Sequence, residues 1–168
     1  NVAEAVEFRS ARSTIAQREV YPMTTNPYLT FDGNAEEAFR FYKSVFGGEF
    51  AMLVRIKDMG GGPPGATAED LNRIAHVSLP VGSAGMLMAS DAPSAGHQVV
   101  VGNNVHISLH PDSAAEAQRL YDGLSAGGTI GMPLGPTPWA ERYASFTDRF
   151  GINWMVNYAG AVQFQSPS

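Results

Sequence analysis

Four histidines and no cysteine among 168 residues set the limits of the side-chain chemistry open to this chain. Without a thiol there is no thiolate nucleophile, no disulfide and no cysteine-ligated zinc or iron–sulfur site. Two of the histidines lie at the centre of alternating segments, Ala75-His76-Val77-Ser78-Leu79 and Val105-His106-Ile107-Ser108-Leu109. On a strand this pattern sends the imidazole to the face opposite the apolar set, where it serves as general base, metal ligand or plain hydrogen-bonded sheet residue. The plain role is the commoner one, since neither histidine has a carboxylate beside it in sequence. Glu141 is the acid that alternation puts on such a face. His106, His76 and Glu141 are therefore the catalytic candidates, either as an improvised metal triad or with His106 acting as a base beside Tyr28. His97 and His110 read as loop and strand-end residues facing solvent. No serine is placed on a strand-to-helix nucleophile elbow, and one placed acid gives no carboxylate pair, which argues against hydrolase and glycosidase chemistry.

These side chains need strands to hold them, and the sequence supplies the strands twice. Asn26-Pro27-Tyr28-Leu29-Thr30-Phe31 resembles Asn104-Val105-His106-Ile107-Ser108-Leu109, and both alternate as strands do. A helix follows each: with one gap in the turn, Ala35 to Tyr42 lies over Ala114 to Tyr121, and Ala, Glu, Ala, Arg and Tyr recur in register. Asn34 and Ser113 stand where N-caps belong, and Gly47-Gly48 and Gly127-Gly128 stand where helices stop. Three strand-like runs come next in each half, at 49–57, 73–80 and 85–91, then at 129–134, 140–148 and 152–158. Each half thus reads as βαβββ, an α+β unit. Glycine- and proline-rich connections at 59–68 and 92–103 are long enough to act as lids. Gly60-Gly61-Gly62-Pro63-Pro64-Gly65 lacks the Lys-Ser/Thr pair of a phosphate-binding loop, and its prolines donate no N–H.

Alternation then sorts the strand residues by face. Leu29, Phe31, Val77, Leu79, Val105, Ile107 and Leu109 pack toward the helices, and Trp154 joins them as core. The opposite, open face receives Ser78, Met86, Ser108, Asn153 and Asn157 together with the candidate ligand contacts Tyr28, Thr30, Met88, Ser90, His106 and Met155. If Phe146 packs on the helix layer, Tyr143 faces the same way, with Trp139 beside it at the rim. Deformable thioethers and hydroxyls suit a pocket wall, and the set has no Lys or Arg to hold an anion.

Composition bounds the rest. Eleven Lys and Arg against 16 Asp and Glu give a net charge of −5, which argues against nucleic-acid partners. No apolar run approaches the roughly 20 residues of a membrane span, and the absence of cysteine fits a cytoplasmic setting. Residues 1–22 read as an N-terminal extension, 23–160 as one paired domain with modules at about 26–91 and 104–158, and 161–168 as a tail.

Four stretches carry a family resemblance: Pro27 to Ala35, Met88 to Pro93, Trp139-Ala140, and Thr147-Asp148-Arg149-Phe150-Gly151-Ile152-Asn153-Trp154-Met155-Val156-Asn157. In them the chain resembles the PhnB-like branch of the vicinal oxygen chelate superfamily, which includes glyoxalases, bleomycin resistance proteins and extradiol dioxygenases. The resemblance implies two tandem βαβββ modules forming a cupped mixed sheet, and a homodimer. Metal enzymes of the superfamily carry His and Glu ligands on the first and last strands of each module. At those positions this chain has Tyr28, Met88 or Ser90, His106 and Met155, so no metal and no cofactor is expected. The expectation is a protein that binds a small organic molecule in a metal-poor cup, with binding favoured over catalysis. The rivals are a metal-dependent isomerase or lyase, and a methyltransferase. The last rests on the label 3-demethylubiquinone 3-methyltransferase-like given to PhnB-like proteins, and no Gly-x-Gly motif for a nucleotide-like cofactor accompanies it.

Overall fold

The computed structural model describes residues 23–62, 64–94 and 98–162. The N-terminal extension, His97 and most of the tail lie outside the described residues. The first module runs β1 (Tyr28–Phe31), α1 (Ala35–Phe46), β2 (Met52–Arg55), a 3-10 turn at Ile56–Met59, α2 (Ala68–Asn72), β3 (Ile74–Val81) and β4 (Gly85–Asp91). The second runs β5 (Ile107–Leu109), α3 (Ala114–Ser125), β6 (Thr129–Thr137), β7 (Ala140–Thr147) and β8 (Asn153–Tyr158). The tandem βαβββ plan is therefore met, with α2 inserted. Within one chain the strands form two four-stranded mixed sheets, in the orders β1-β4-β3-β2 and β5-β8-β7-β6.

Each long helix covers one face of its own sheet, and α1 and α3 meet each other. The core is continuous through them, from Phe39, Tyr42, Val77, Leu79 and Ala89 to Leu120, Leu124, Ala144, Trp154 and Val156. Both uncovered sheet faces point away from that core. Two buried carboxylates staple the arrangement. Asp91, at the end of β4, accepts hydrogen bonds from the backbone N–H of Ala35 (2.9 Å) and of Ile74 (2.8 Å). It thereby supplies the cap expected of Asn34, whose own side chain makes no cap bond. Asp148 accepts from Tyr42 Oη (2.7 Å) and Trp154 Nε1 (2.8 Å), and from the N–H groups of Phe150 (2.8 Å) and Ile152 (3.0 Å). Burial, then the Asp148 charge, pushes the Tyr42 phenol well above its ordinary pKa, so the hydroxyl stays protonated and donates. Because Tyr42 belongs to α1 and Asp148 to the turn after β7, this one carboxylate joins the two modules.

Several local expectations are corrected. The strand expected over 49–57 is four residues long, because Asp58 folds back onto the Arg55 N–H and starts the 3-10 turn. Helix α2 was not expected, although Thr67 and Asp70 form the reciprocal capping box that announces it. Val105 was assigned to the core, yet it precedes β5 and is 71% exposed. Ser113 does cap α3, accepting from the Glu116 N–H.

Candidate functional site

Strand register builds the two open faces row by row. Across the first sheet Met52, Ser78, Met88 and Tyr28 are paired neighbours on β2, β3, β4 and β1. The residues flanking them in sequence, Val77, Leu79, Leu87 and Ala89, are buried in the core, so the row faces away from it. The adjacent row contains Val54 paired with His76, and Ser90 paired with Thr30. The second sheet repeats the chemistry: Met132, Ser145, Met155 and Ser108 are paired neighbours on β6, β7, β8 and β5. Each sheet thus carries a methionine–serine–methionine row, with Tyr28 at one outer end and Ser108 at the other. No Lys, Arg, Asp or Glu stands in either row.

Every predicted ligand contact among these lies on an open face. Tyr28 is 50% exposed, and its hydroxyl lies 3.3 Å from Nδ1 of His76, with the rings 5.8 Å apart. That bond was not foreseen, because it runs diagonally between non-neighbouring strands. Trp139, 42% exposed in the β6–β7 turn, meets Tyr143 edge to face at 5.5 Å, which places the indole at the rim. His106 is exposed just ahead of β5. Two expected members of the lining belong to the scaffold instead. Ser78 is only 6% exposed under its flanking methionines. Asn153 is buried, donating from Nδ2 to the carbonyls of Gly102 (2.9 Å) and Val105 (3.1 Å) while its Oδ1 accepts from Thr147.

The improvised metal triad is not assembled within the chain. His76 stands on the first sheet, His106 leads into the second, and Glu141 packs against Gly160 at the start of β7. Among the described residues no three His, Asp or Glu side chains converge as metal ligands. The donors at the superfamily's ligand positions do not fit a hard or borderline divalent ion either, since one imidazole among thioethers and hydroxyls leaves most coordination sites unfilled. One serine pattern was overlooked: Gly123-Leu124-Ser125-Ala126-Gly127 has Gly-x-Ser-x-Gly spacing. It ends α3, so the helix precedes the serine and no elbow exists.

The connection at 92–103, expected to act as a lid, is fastened where it is described. Arg73 donates to the Ala92 carbonyl (2.9 Å) and to Asp32 (3.1 Å), and Ser94 donates to Asp70. The Ser94 hydroxyl first, then the Thr67 hydroxyl and N–H, hold the Asp70 carboxyl down to about 2. At its far end the same connection is held by Asn153. A cleft of about 500 Å³ lies between the modules, lined by Phe46, Met86, Ile107, Ser108, His110 and Trp154 among others, and it reaches the open faces at Met86 and Ser108. His110 there accepts or donates at 3.1 Å to the Ser108 hydroxyl.

The sequence profile of the Glyoxalase/Bleomycin resistance protein/Dioxygenase superfamily matches residues 24–156. The chain belongs to this superfamily. Protein YjdN of Escherichia coli (strain K12) is 30% identical to it over 143 residues, which cover 80% of this chain and 95% of YjdN. Among solved structures, protein PA1353 from Pseudomonas aeruginosa shares 42% identity at a TM-score of 0.71, over 82% of this chain and 98% of its own. A putative 3-demethylubiquinone-9 3-methyltransferase, PhnB protein, from Bacillus cereus shares 23% identity at a TM-score of 0.67, over 82% of this chain and 100% of that one. This last likeness is one of fold alone. No helix among the described residues is long and apolar enough to cross a membrane.

Proposed function

We infer that this superfamily member binds a small, uncharged organic molecule in a cup completed by a second copy of the chain. The observation that carries the reading is the state of the open faces: Tyr28, Met52, Met132 and Trp139 are each 42 to 50% exposed on the sheets and their rim. A single chain leaves two half-cups uncovered. β1 and β5 are edge strands, and an uncovered strand edge beside apolar surface invites pairing. Val100, at 85% exposed, and Val101, at 65%, extend the apolar surface along the connection between modules. Pairing the first module of one chain with the second module of another would cover these residues and close both cups symmetrically.

Binding is favoured over catalysis because the faces offer hydroxyls, amides, thioethers and two separated histidines but, among the described residues, no convergent metal-ligand set. The cysteine-free composition supports a cytoplasmic setting for it. The test combines light scattering with metal analysis and a thermal-shift screen of uncharged ligands. The reading expects a dimer mass, well under one equivalent of transition metal, and hits among neutral compounds. Stoichiometric metal lost on His106→Ala would overturn it in favour of a metal-dependent isomerase or lyase.

A further inference from the structure

The two methionine–serine–methionine rows are not required by packing, because they lie on the faces turned away from the core. In each row a small residue stands between two long thioethers: Ser78 between Met52 and Met88, and Ser145 between Met132 and Met155. Two strand spacings separate the outer methionines, roughly 9.5 Å. That is a trough whose walls are flexible and polarisable; its floor is the half-buried Ser145 hydroxyl in the second row, while in the first row Ser78 is covered by its methionines. Thioether sulfur makes its favourable aromatic contacts at the edge of a ring, so a flat ring lying over the serine would meet sulfur on both sides.

Polar groups beside the troughs add a second requirement. The Asn157 Oδ1 atom is buried and without a hydrogen-bond partner among the described residues, on β8 two residues beyond Met155. A buried acceptor left unpaired is costly, and a ligand hydroxyl is a donor that would relieve it. In the other sheet the Tyr28 hydroxyl engages Nδ1 of His76, which leaves Nε2 for a ligand. We propose that the cup takes a planar, uncharged aromatic ring bearing a hydroxyl, gripped at its edges by the thioethers of both rows. The proposal rests on the reading of the open faces as a ligand cup and adds the chemical class of the ligand.

The test is methyl NMR on the full chain with carbon-13 labelled methionine methyls. All seven methionines report. Met52, Met88, Met132 and Met155 mark the rows, Met86 lines the cleft between the modules from the same face of β4 as Met88, and Met23 and Met59 are exposed outside both troughs. With 1-naphthol as probe, ring-current shifts are expected at the four row methyls and none at Met23 or Met59. Decahydro-1-naphthol, of similar size but neither flat nor aromatic, should bind about tenfold more weakly. The 1-methoxynaphthalene ether, which cannot donate, should also bind more weakly than 1-naphthol. Equal binding of the saturated alcohol at the row methyls would overturn the aromatic proposal and leave the cup reading standing. Shifts confined to Met86 would overturn both, because the probe would then sit in the cleft. The same holds if no uncharged probe moves any row methyl.

Discussion

An indole at the rim of an open sheet is half in water until something lies against it. Trp139 touches Tyr143 edge to face and is 42% exposed, so its free surface is available to a ligand, whereas Trp154 is 1% exposed and bonded to Asp148. Trp139→Ala should therefore weaken ligand binding by about 1 to 3 kcal/mol, read by calorimetry, while leaving the melting temperature nearly unchanged. Unchanged affinity would remove Trp139 from the site. Asp148→Ala should do the reverse and destabilise the fold by about 3 kcal/mol or more, read by denaturant unfolding, because it leaves buried donors on Tyr42 and Trp154 unpaired. The difference between these two tryptophans was legible in the sequence, since alternation along the last strand put Trp154 with Val156 on the core side. The role of Asp148 was not, because nothing local shows that a carboxylate in one module will meet a tyrosine of the other.

Elements differ in how much of their placement the sequence reveals. Strand faces follow from period-two alternation, and β4 and β7 show it cleanly, while β3 and β8 depart from it at the buried Ser78 and Asn153. β5 is three residues long, too short for that, and so Val105 was assigned to the wrong face. Helix ends depend on partners distant in sequence: α1 is capped by Asp91 of β4 and not by Asn34. Asp91→Ala should cost about 2 to 4 kcal/mol of stability, since two buried N–H groups lose their acceptor, and denaturant unfolding would measure it. The anchor after β4 gives a prediction in pH. Asp70 is held at about 2 against an ordinary 3.8, so its contribution is complete above 3.8 and disappears as pH falls through about 2. Ser94→Ala should raise the Asp70 pKa toward 3.8, followed by carboxyl carbon NMR titration. An unmoved titration would show that Ser94 does not hold the connection to α2.

At the scale of the whole molecule the repeat was the strongest sequence signal, and it fixed two modules without saying how half-cups pair. The proposed pairing rests on surface left uncovered, which a linear pattern does not record until the chain is folded. Because α1 meets α3 and Asp148 joins the modules through the core, the open faces point outward, and the proposed cup needs a second chain to cover them. Complementation between two defective chains tests this cross-chain cup most directly. Met88→Glu puts a charge in the first half-cup and Met155→Glu in the second, so neither variant alone should bind 1-naphthol by calorimetry although the unmodified chain does. After the two are mixed in equal amounts and allowed to exchange, half the dimers carry one of each chain, and one of their two cups is free of both lesions. The account predicts recovery of about a quarter of the unmodified binding capacity. No recovery after exchange that light scattering and mass spectrometry show to be complete would contradict it, because every cup would then be built within a single chain.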